Sequence, residues 1–501
     1  MAQRDSKTDI RDVEPQIFQN EYPEKAIPRV EKIDYSGAHE KTDPKEIALV
    51  KKLDRWMMPM LWSMYWLNYL DLNAIALARL NDLEEDLNLK GTEYQTCVSI
   101  LFVGYILGQI PSNMFLTRTR PSRYMVSSLS LFYSQTTRLT SQGIMMMLWA
   151  VVSAFTAVAK DFKGLLLTRF FLGLTEAPYY PGAVYLLSIF YTRKEVATRI
   201  AILYTGNILA TAFAGLIAAG IFHGLDDVAG LAGWKWLFIL QGAVTFVIAV
   251  IGYFILPDFP LTTRWLTEEE RQLAHNRMEL DTVGNKGETS TFKGLKQAAS
   301  DPMVWIFCAM AHLHLAANGF KNFFPSVVKT LGFNTTITLV LTCPPYLIAG
   351  ASTILVSWMS GKYNERTWHI TASKTVAVVG FASAAATLNT AGRYVCMVIF
   401  TIGTYAVNSL ILGWCGSVCG QTKEKKAVAI SMVTMIMNIS FIWTPYLWPK
   451  SDEPRYATAM ASSAAFSIGT AALAWLAKII LKRRNQKLRA QDSETEVFYV
   501  Y

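Results

Sequence analysis

Long apolar stretches follow one another along most of this chain and are separated by short polar turns. A helix needs about 20 apolar residues to cross the hydrocarbon core of a bilayer, and these stretches have about that length. The pattern therefore predicts a series of transmembrane helices. The twelve predicted spans are 56–76, 93–116, 143–159, 165–191, 198–222, 234–256, 303–325, 337–361, 368–387, 394–420, 427–447 and 457–481.

One long polar segment, 257–302, separates the sixth predicted span from the seventh. It contains the sequence Thr267-Glu268-Glu269-Glu270, which is typical of a helix start. The spans are thereby divided six and six. We predict an all-α integral membrane protein of twelve transmembrane helices, with an N-terminal six-helix bundle over 51–256 and a C-terminal one over 303–481.

Positive charge is concentrated in the loops on one side of the predicted membrane and in the C-terminal tail, 482–501. The positive-inside rule therefore places both termini and the central loop in the cytosol. The N-terminal tail is polar, with four prolines and mixed charges, and is predicted to be disordered. The basic loop residues on this side are Arg118, Arg120, Arg123, Arg193, Lys194, Arg199, Lys362, Arg366, Lys423, Lys425 and Lys426.

Composition agrees with a membrane protein. Hydrophobic residues make up 52% of the chain and charged residues only 17%, which leaves too little polar surface for a soluble chain of 501 residues. The net charge of +9 comes from loops and the C-terminal tail and does not imply a nucleic-acid partner. No cofactor or metal site is expected. The cysteines have no ligand or disulfide spacing and are interpreted as small core residues: Cys97, Cys308, Cys343, Cys396, Cys415 and Cys419.

Several short motifs are more specific than the architecture. They are Asn68-Tyr69-Leu70-Asp71, Gly104-Tyr105-Ile106-Leu107, Arg120-Pro121-Ser122-Arg123-Tyr124, Arg169-Phe170-Phe171-Leu172-Gly173, Glu176-Ala177-Pro178 and Gly233-Trp234-Lys235-Trp236. Together they resemble the fungal anion:cation symporter family, the allantoate and nicotinate permease type, of the major facilitator superfamily. The resemblance covers nearly all of 45–485. One position departs from it, since the family usually has Arg after Asp71 and this chain has Leu72.

The resemblance implies a fold and a function. The fold is two six-helix halves with the substrate site near the midplane between them. The function is import of a small organic anion with protons, by alternating access, in the plasma membrane. The implied substrates are carboxylates such as nicotinate, pantothenate or allantoate, and we expect a monomer surrounded by lipid.

Segment 126–142 does not fit the third span, because it carries Arg138 within a polar run where the family passes directly into a helix. Its removal would join Met125 to Gly143, and codons that can encode its two ends match splice signals. The interpretation is a retained intron in the gene sequence. The alternative is a genuine cytosolic loop extension.

Ionisable side chains inside spans are costly, roughly 3 kcal/mol at the helix centre on insertion scales, and are therefore candidate functional groups. Arg169 and Glu176 lie two helical turns apart and share one face of the fourth span. Arg169 suits a substrate carboxylate, and Glu176 suits the coupling proton, unless the two only pair with another helix. Asp71 is a candidate gate or second proton site, and the alternative is an interfacial cap.

Polar residues within the spans supply further candidates. Asn207, His312, Asn318 and Asn408 are predicted to bind substrate, although each amide could instead join two helices and the histidine could be a core residue. His312 and His314 point about 200° apart on a helix, which excludes a metal pair.

Two lysines lie within spans of the second half. Lys321 is predicted to snorkel outward from the seventh span, and Lys374 inward from the ninth.

Two other function classes remain to be compared. A membrane enzyme would need a clustered nucleophile, base or metal set, and the chain has no Gly-X-Ser-X-Gly or His-Glu-X-X-His motif. Drive by ATP is also unexpected, since no Walker motif is present. Two alternatives remain. One is a nutrient sensor on a transporter scaffold, although such a sensor usually carries a long cytosolic tail, and the other is a transporter of an unrelated small metabolite.

Overall fold

The structure is a computed structural model, and it describes residues 43–116, 141–257, 259–281, 291–363, 365–419 and 423–491. The proposed intron segment 126–142 lies outside the described residues, except for Ser141 and Gln142 at the start of a helix. Most of the predicted N-terminal tail also lies outside them. Its last residues, from Pro44 onward, are helical, because Asp43 caps this helix by accepting a hydrogen bond from the Lys45 amide at 2.9 Å.

Each predicted span of the first half corresponds to one helix or to two consecutive helices. The fourth span is broken at Ala177-Pro178, where a proline interrupts the backbone hydrogen bonds. The helices of this half are α1 (Pro44–Ala78), the short α2 (Leu83–Asp86), α3 (Glu93–Leu116), α4 (Ser141–Phe155), α5 (Phe162–Glu176), α6 (Tyr179–Phe190), α7 (Arg193–Leu225) and α8 (Gly233–Ile255).

The central segment contains two helices, α9 (Glu268–Asp281) and α10 (Thr291–Ala299). A capping box starts α9 at the predicted place. The Thr267 amide donates to the Glu270 carboxylate at 2.8 Å, and the Glu270 amide donates to the Thr267 hydroxyl at 3.3 Å. Glu270 also forms an ion pair with Lys52 of α1 at 2.7 Å.

A buried arginine fixes the other end of α9. Arg277 contacts Glu195 at 3.1 Å and Glu46 at 3.4 Å, and donates a hydrogen bond to the Phe190 carbonyl at 2.6 Å. These three partners all lie in the first half, so α9 is held on that half.

The second half repeats the pattern, and three of its spans are broken. The seventh span contains a 3₁₀ turn over Asn318–Asn322, the eighth is divided at Thr342, and the tenth is interrupted at Ala406-Val407. The helices are α11 (Pro302–Ala317), α12 (Phe324–Lys329), α13 (Thr335–Leu341), α14 (Cys343–Lys362), α15 (Thr367–Ala386), α16 (Thr390–Tyr405), α17 (Asn408–Val418), α18 (Lys423–Trp443) and α19 (Ala457–Gln491).

Much of the lateral surface is apolar. Phe254 is 65% exposed and Trp358 is 60% exposed, which suits contact with lipid and not with water. All six cysteines are buried free thiols, as predicted. Within the described ranges, seven helical segments are long and apolar enough to cross a membrane: Thr198–Leu225, Gly233–Ile255, Pro302–Asn322, Thr335–Lys362, Thr390–Val418, Lys425–Leu447 and Ala457–Leu488.

The two halves meet along two seams. In one, α3 packs against α18, and in the other α7 packs against α13 and α14. Gly215 of α7 lies directly against the Leu339 carbonyl and the Thr342 hydroxyl, so a side chain at this position would separate the halves. The seams leave the space between the halves for a cavity.

Candidate substrate cavity

A cavity of about 230 Å³ lies between the two halves. Both halves contribute to its lining, which is rich in amide and phenol groups. Among the described residues that line it, two are cationic, Arg169 and Lys321, and none is an aspartate or glutamate. The lining asparagines are Asn68, Asn73, Asn207, Asn318, Asn322, Asn408 and Asn438.

Breaks in the helices place several of these side chains. The 3₁₀ turn of the seventh span supplies Asn318, Lys321 and Asn322, while Tyr405 and Asn408 flank the break in the tenth span. Interrupted helices at the centre of a membrane transporter leave backbone and polar side chains facing the cavity. The breaks and the cavity therefore coincide.

A charged cluster lies in the first half. Arg169 lines the cavity with only 2% of its surface exposed, and it interacts electrostatically with Glu176 and Asp71. Asp71 is fully buried and accepts hydrogen bonds from the Trp149 indole at 2.6 Å and the Ser153 hydroxyl at 3.0 Å. The expectation of a solvated interfacial cap at Asp71 was therefore wrong.

Glu176 is the less well satisfied member of this cluster. Its carboxyl is buried and neither oxygen has a hydrogen bond of ordinary geometry from a described residue, although the Asn68 amide is a nearby hydrogen-bond donor. The Arg169 Nε and Nη1 atoms also lack such partners. The structure thus brings Arg169, Glu176 and Asp71 together. The Arg169 guanidinium and the Glu176 carboxyl both keep atoms that can form further hydrogen bonds.

The predicted polar residues divide into two groups. Asn207, Asn318 and Asn408 line the cavity, and Asn408 donates to the Tyr204 hydroxyl of the first half at 3.3 Å. His312 does not line it, because its Nδ1 lies 2.9 Å from the Ile436 carbonyl and its ring packs on Trp443.

The histidine that lines the cavity is His314, which the sequence analysis did not select for binding. Its ring Nε2 lies 3.4 Å from the Asn318 amide nitrogen. The half-turn separation of the two histidines was predicted, but which of them faces the cavity depends on how the helix is rotated.

The position of Lys321 corrects a prediction. Instead of snorkelling outward, it lines the cavity with its Nζ 4.3 Å from the centre of the Phe441 ring. The dipeptide Asn318-Gly319 just before it is the sequence signal for the helix break that turns this side chain inward.

Two other positions singled out in the sequence are Lys374 and Leu72. Lys374 is fully buried and does not snorkel as predicted, and its ammonium interacts electrostatically with His314. Leu72 lines the cavity, so the position where the resembled family carries Arg presents an apolar side chain here.

One end of the cavity is crossed by contacts between the halves. At the end that carries the 79–93 loop, Arg79 pairs with Glu84 at 2.9 Å and donates to the Ser326 hydroxyl of the second half at 3.4 Å. Gln95 donates to the Trp448 carbonyl at 3.3 Å. These hydrogen bonds join the two halves at this loop end.

Comparison with known proteins identifies the architecture. Residues 61–445 match the family described as Major Facilitator Superfamily. The chain belongs to this superfamily. It is a secondary transporter of the major facilitator type, as its motifs and its two bundles predicted.

Fungal transporters are among its relatives. The chain is 32% identical over 381 residues to the MFS transporter prlL of a fungus (Fungal sp.), covering 74% of this chain and 73% of the relative. It is 30% identical over 425 residues to the major facilitator-type transporter hxnP of Emericella nidulans, and the match covers 84% of this chain and 82% of the relative. It is 28% identical over 429 residues to the pantothenate transporter liz1 of Schizosaccharomyces pombe, and the match covers 82% of this chain and 78% of the relative.

Solved structures share the fold at low sequence identity. A bacterial homolog of the human lysosomal transporter Spinster, in an inward-facing and occupied conformation, superposes with a TM-score of 0.64 at 16% identity, covering 87% of this chain and 98% of that one. The xylose transporter XylE from E. coli superposes with a TM-score of 0.62 at 13% identity, and the match covers 85% of this chain and 97% of that one. The predicted fold of two bundles is confirmed.

Proposed function

We propose that this major facilitator transporter imports a small organic anion together with protons. The observation that carries the proposal is the charge of the cavity, whose described lining includes two cations and no carboxylate. Arg169 has Glu176 and Asp71 beside it, whereas Lys321 has no carboxylate partner among the described residues. An uncompensated positive charge in a site of low dielectric constant attracts an anion and rejects a cation. Alternating exposure of the cavity to the two sides of the membrane would move that anion across.

The substrate class follows from the lining and from the relatives. Arg169 suits a carboxylate, while Asn207, Asn318 and Asn408 offer donors and acceptors for a polar body. One relative is named as a pantothenate transporter. We therefore propose a carboxylate such as pantothenate, nicotinate or allantoate as substrate.

The proton is assigned to the first half. Between residues 302 and 451 the only acidic residues are Glu365 and Glu424, and neither lies inside a predicted span. Glu176 and Asp71 are buried beside Arg169, so protonation of Glu176 would release Arg169 for the substrate carboxylate. This exchange of partners is the proposed link between proton and anion.

Location and assembly complete the proposal. The family resemblance supports the plasma membrane, and the basic loops support a cytosolic position for both termini. A single chain supplies both halves of the cavity, which supports a monomer in the lipid bilayer. No cofactor or nucleic-acid partner enters the mechanism.

The proposal is tested by uptake in transport-deficient yeast. Labelled nicotinate, pantothenate and allantoate are offered at acidic and neutral external pH, and nicotinamide serves as an uncharged control. We expect acid-stimulated uptake of one carboxylate and none of the amide. Absence of uptake despite surface expression would contradict the proposal and favour a nutrient sensor.

The same assay tests the intron hypothesis. The full chain and a chain without 126–142 are compared at equal surface expression. We expect uptake by the shortened chain alone. Full activity of the complete chain would support the loop extension instead.

A further inference from the structure

We propose that Lys321 binds the anionic group of the substrate from the second half of the transporter. This inference rests on the proposed function and names a residue and a charge partner for it. Buried charge is distributed unevenly between the two halves.

In the first half the buried cation is balanced. Arg169 has two carboxylates beside it, Glu176 and Asp71. In the second half the described spans hold two inward-facing or buried lysines, Lys321 and Lys374, and no acidic residue. A positive charge in such surroundings is unfavourable unless an anion arrives to balance it.

Only one of these two lysines lies where a substrate can reach it. Lys321 lines the cavity, whereas Lys374 is fully buried and does not line it. The 3₁₀ turn over Asn318–Asn322 directs Lys321 inward and places the Asn318 and Asn322 amides on the same stretch of lining. An anion held there would therefore find an ammonium and two amide groups.

The present partner of Lys321 is a ring and not a carboxylate. Its Nζ lies over Phe441 at 4.3 Å, and among the described residues no ion pair or hydrogen bond holds it. A charge-assisted hydrogen bond to a carboxylate is stronger than attraction to a neutral ring, so an arriving anion would displace Phe441 as the partner.

Phe441 also connects this site to the other half. Its ring stacks on Phe102 of α3, with the ring centres 4.6 Å apart. These two helices form one of the seams between the halves. Binding of an anion to Lys321 would thus alter a contact that lies directly on the seam.

The test compares three variants in yeast, each made in the form of the chain, with or without 126–142, that gives uptake. Lys321→Gln removes the charge, and Lys321→Arg keeps it. Lys329→Gln is the matched control, because Lys329 follows in the next helix but is exposed and bonded only to the nearby Thr335 hydroxyl at 2.9 Å. Initial rates are measured with labelled nicotinate and pantothenate over a range of concentrations, and surface expression and monodispersity of the solubilised chain are recorded for each variant.

We expect Lys321→Gln to raise the apparent KM for the transported carboxylate about tenfold or more, the loss expected from one charge-assisted hydrogen bond. The apparent KM of Lys321→Arg should stay within a few-fold of the value for the unmodified chain. The apparent KM of Lys329→Gln should equal that of the unmodified chain.

Two results would overturn the inference while the proposed function stands. The first is an unchanged KM in Lys321→Gln, and the second is equal loss of uptake in Lys321→Gln and Lys321→Arg when both are well folded, which would make Lys321 a packing residue. Uptake of neither carboxylate by the unmodified chain would contradict both proposals.

Discussion

At the scale of single residues, the cluster of Arg169, Glu176 and Asp71 is the most informative feature of the first half. Asp71 has two hydrogen-bond donors, whereas Glu176 is buried without one of ordinary geometry. A carboxyl in that position is easier to neutralise than one that accepts two hydrogen bonds. Of the two predicted proton carriers, Glu176 is therefore the better candidate.

We predict that Glu176→Gln abolishes the acid stimulation of uptake but allows exchange of substrate across the membrane. The amide resembles a permanently protonated carboxyl, so Arg169 stays free to bind the anion while no proton is carried. Counterflow and acid-driven uptake of the transported carboxylate are measured in parallel. Glu85→Gln, a change at an exposed acidic residue of α2, is the control.

Retained acid stimulation in Glu176→Gln would contradict this role. Loss of counterflow together with acid-driven uptake, in a chain that reaches the surface, would show that Glu176 is needed for binding and not for coupling.

The sequence predicted that Arg169 and Glu176 share a helix face, but it did not predict that Asp71 lies beside them or that Lys321 lines the cavity. Arg169 and Glu176 were recognisable because charged residues are rare in apolar spans and a spacing of seven fixes a shared face. Lys321 was missed because the direction of its side chain depends on a helix break, and a continuous helix was assumed. The choice between His312 and His314 depends on helix rotation, which no local motif determines.

At the scale of elements, the apolar stretches predicted the helices well, because hydrophobic length is a direct requirement of the bilayer. The breaks were harder to predict. A proline lies at the break in the fourth span, Ala177-Pro178, but the interruption at Ala406-Val407 has neither proline nor glycine at the break. The polar central segment was identified as a loop with a helix start, and its docking on α1 is a tertiary contact with no sequence pattern of its own.

The contact of α9 with α1 leads to a prediction about pH. Partial burial alone would raise the pKa of Glu270, but the hydrogen bonds from Lys52 and Thr267 outweigh it and lower the pKa below its ordinary value. A carboxyl with a lowered pKa contributes stability above its unfolded pKa, about 4.3, and loses it as the pH falls through the folded value.

We therefore expect Glu270→Gln to lower the unfolding temperature of the solubilised chain slightly at neutral pH and progressively less toward acidic pH. The effect should not exceed about 1 kcal/mol, because the pair is partly exposed to solvent. Thermal unfolding is followed across this range, with Glu269→Gln as the exposed control. A destabilisation that stays constant with pH would exclude the charge as its cause.

At the scale of the whole molecule, the two halves differ in charge. The first half contains the carboxylates beside its buried arginine, and the spans of the second half contain lysines without acids. The proton site would then belong to the first half, and the anion would bind between Arg169 of the first half and Lys321 of the second, in the cavity where the halves meet. Hydrogen bonds such as that from Gln95 to the Trp448 carbonyl join the halves at the loop end, and alternating access requires these contacts to open.

The most direct test of anion transport with protons is uptake by the purified chain in liposomes under an imposed inward proton gradient. Labelled nicotinate, pantothenate and allantoate are the probes, and nicotinamide is the uncharged control. We expect one carboxylate to accumulate above its external concentration, and a protonophore or the Arg169→Gln substitution to abolish that accumulation. Equal uptake of the uncharged amide, or accumulation of a carboxylate that does not respond to the proton gradient, would contradict transport of an anion with protons.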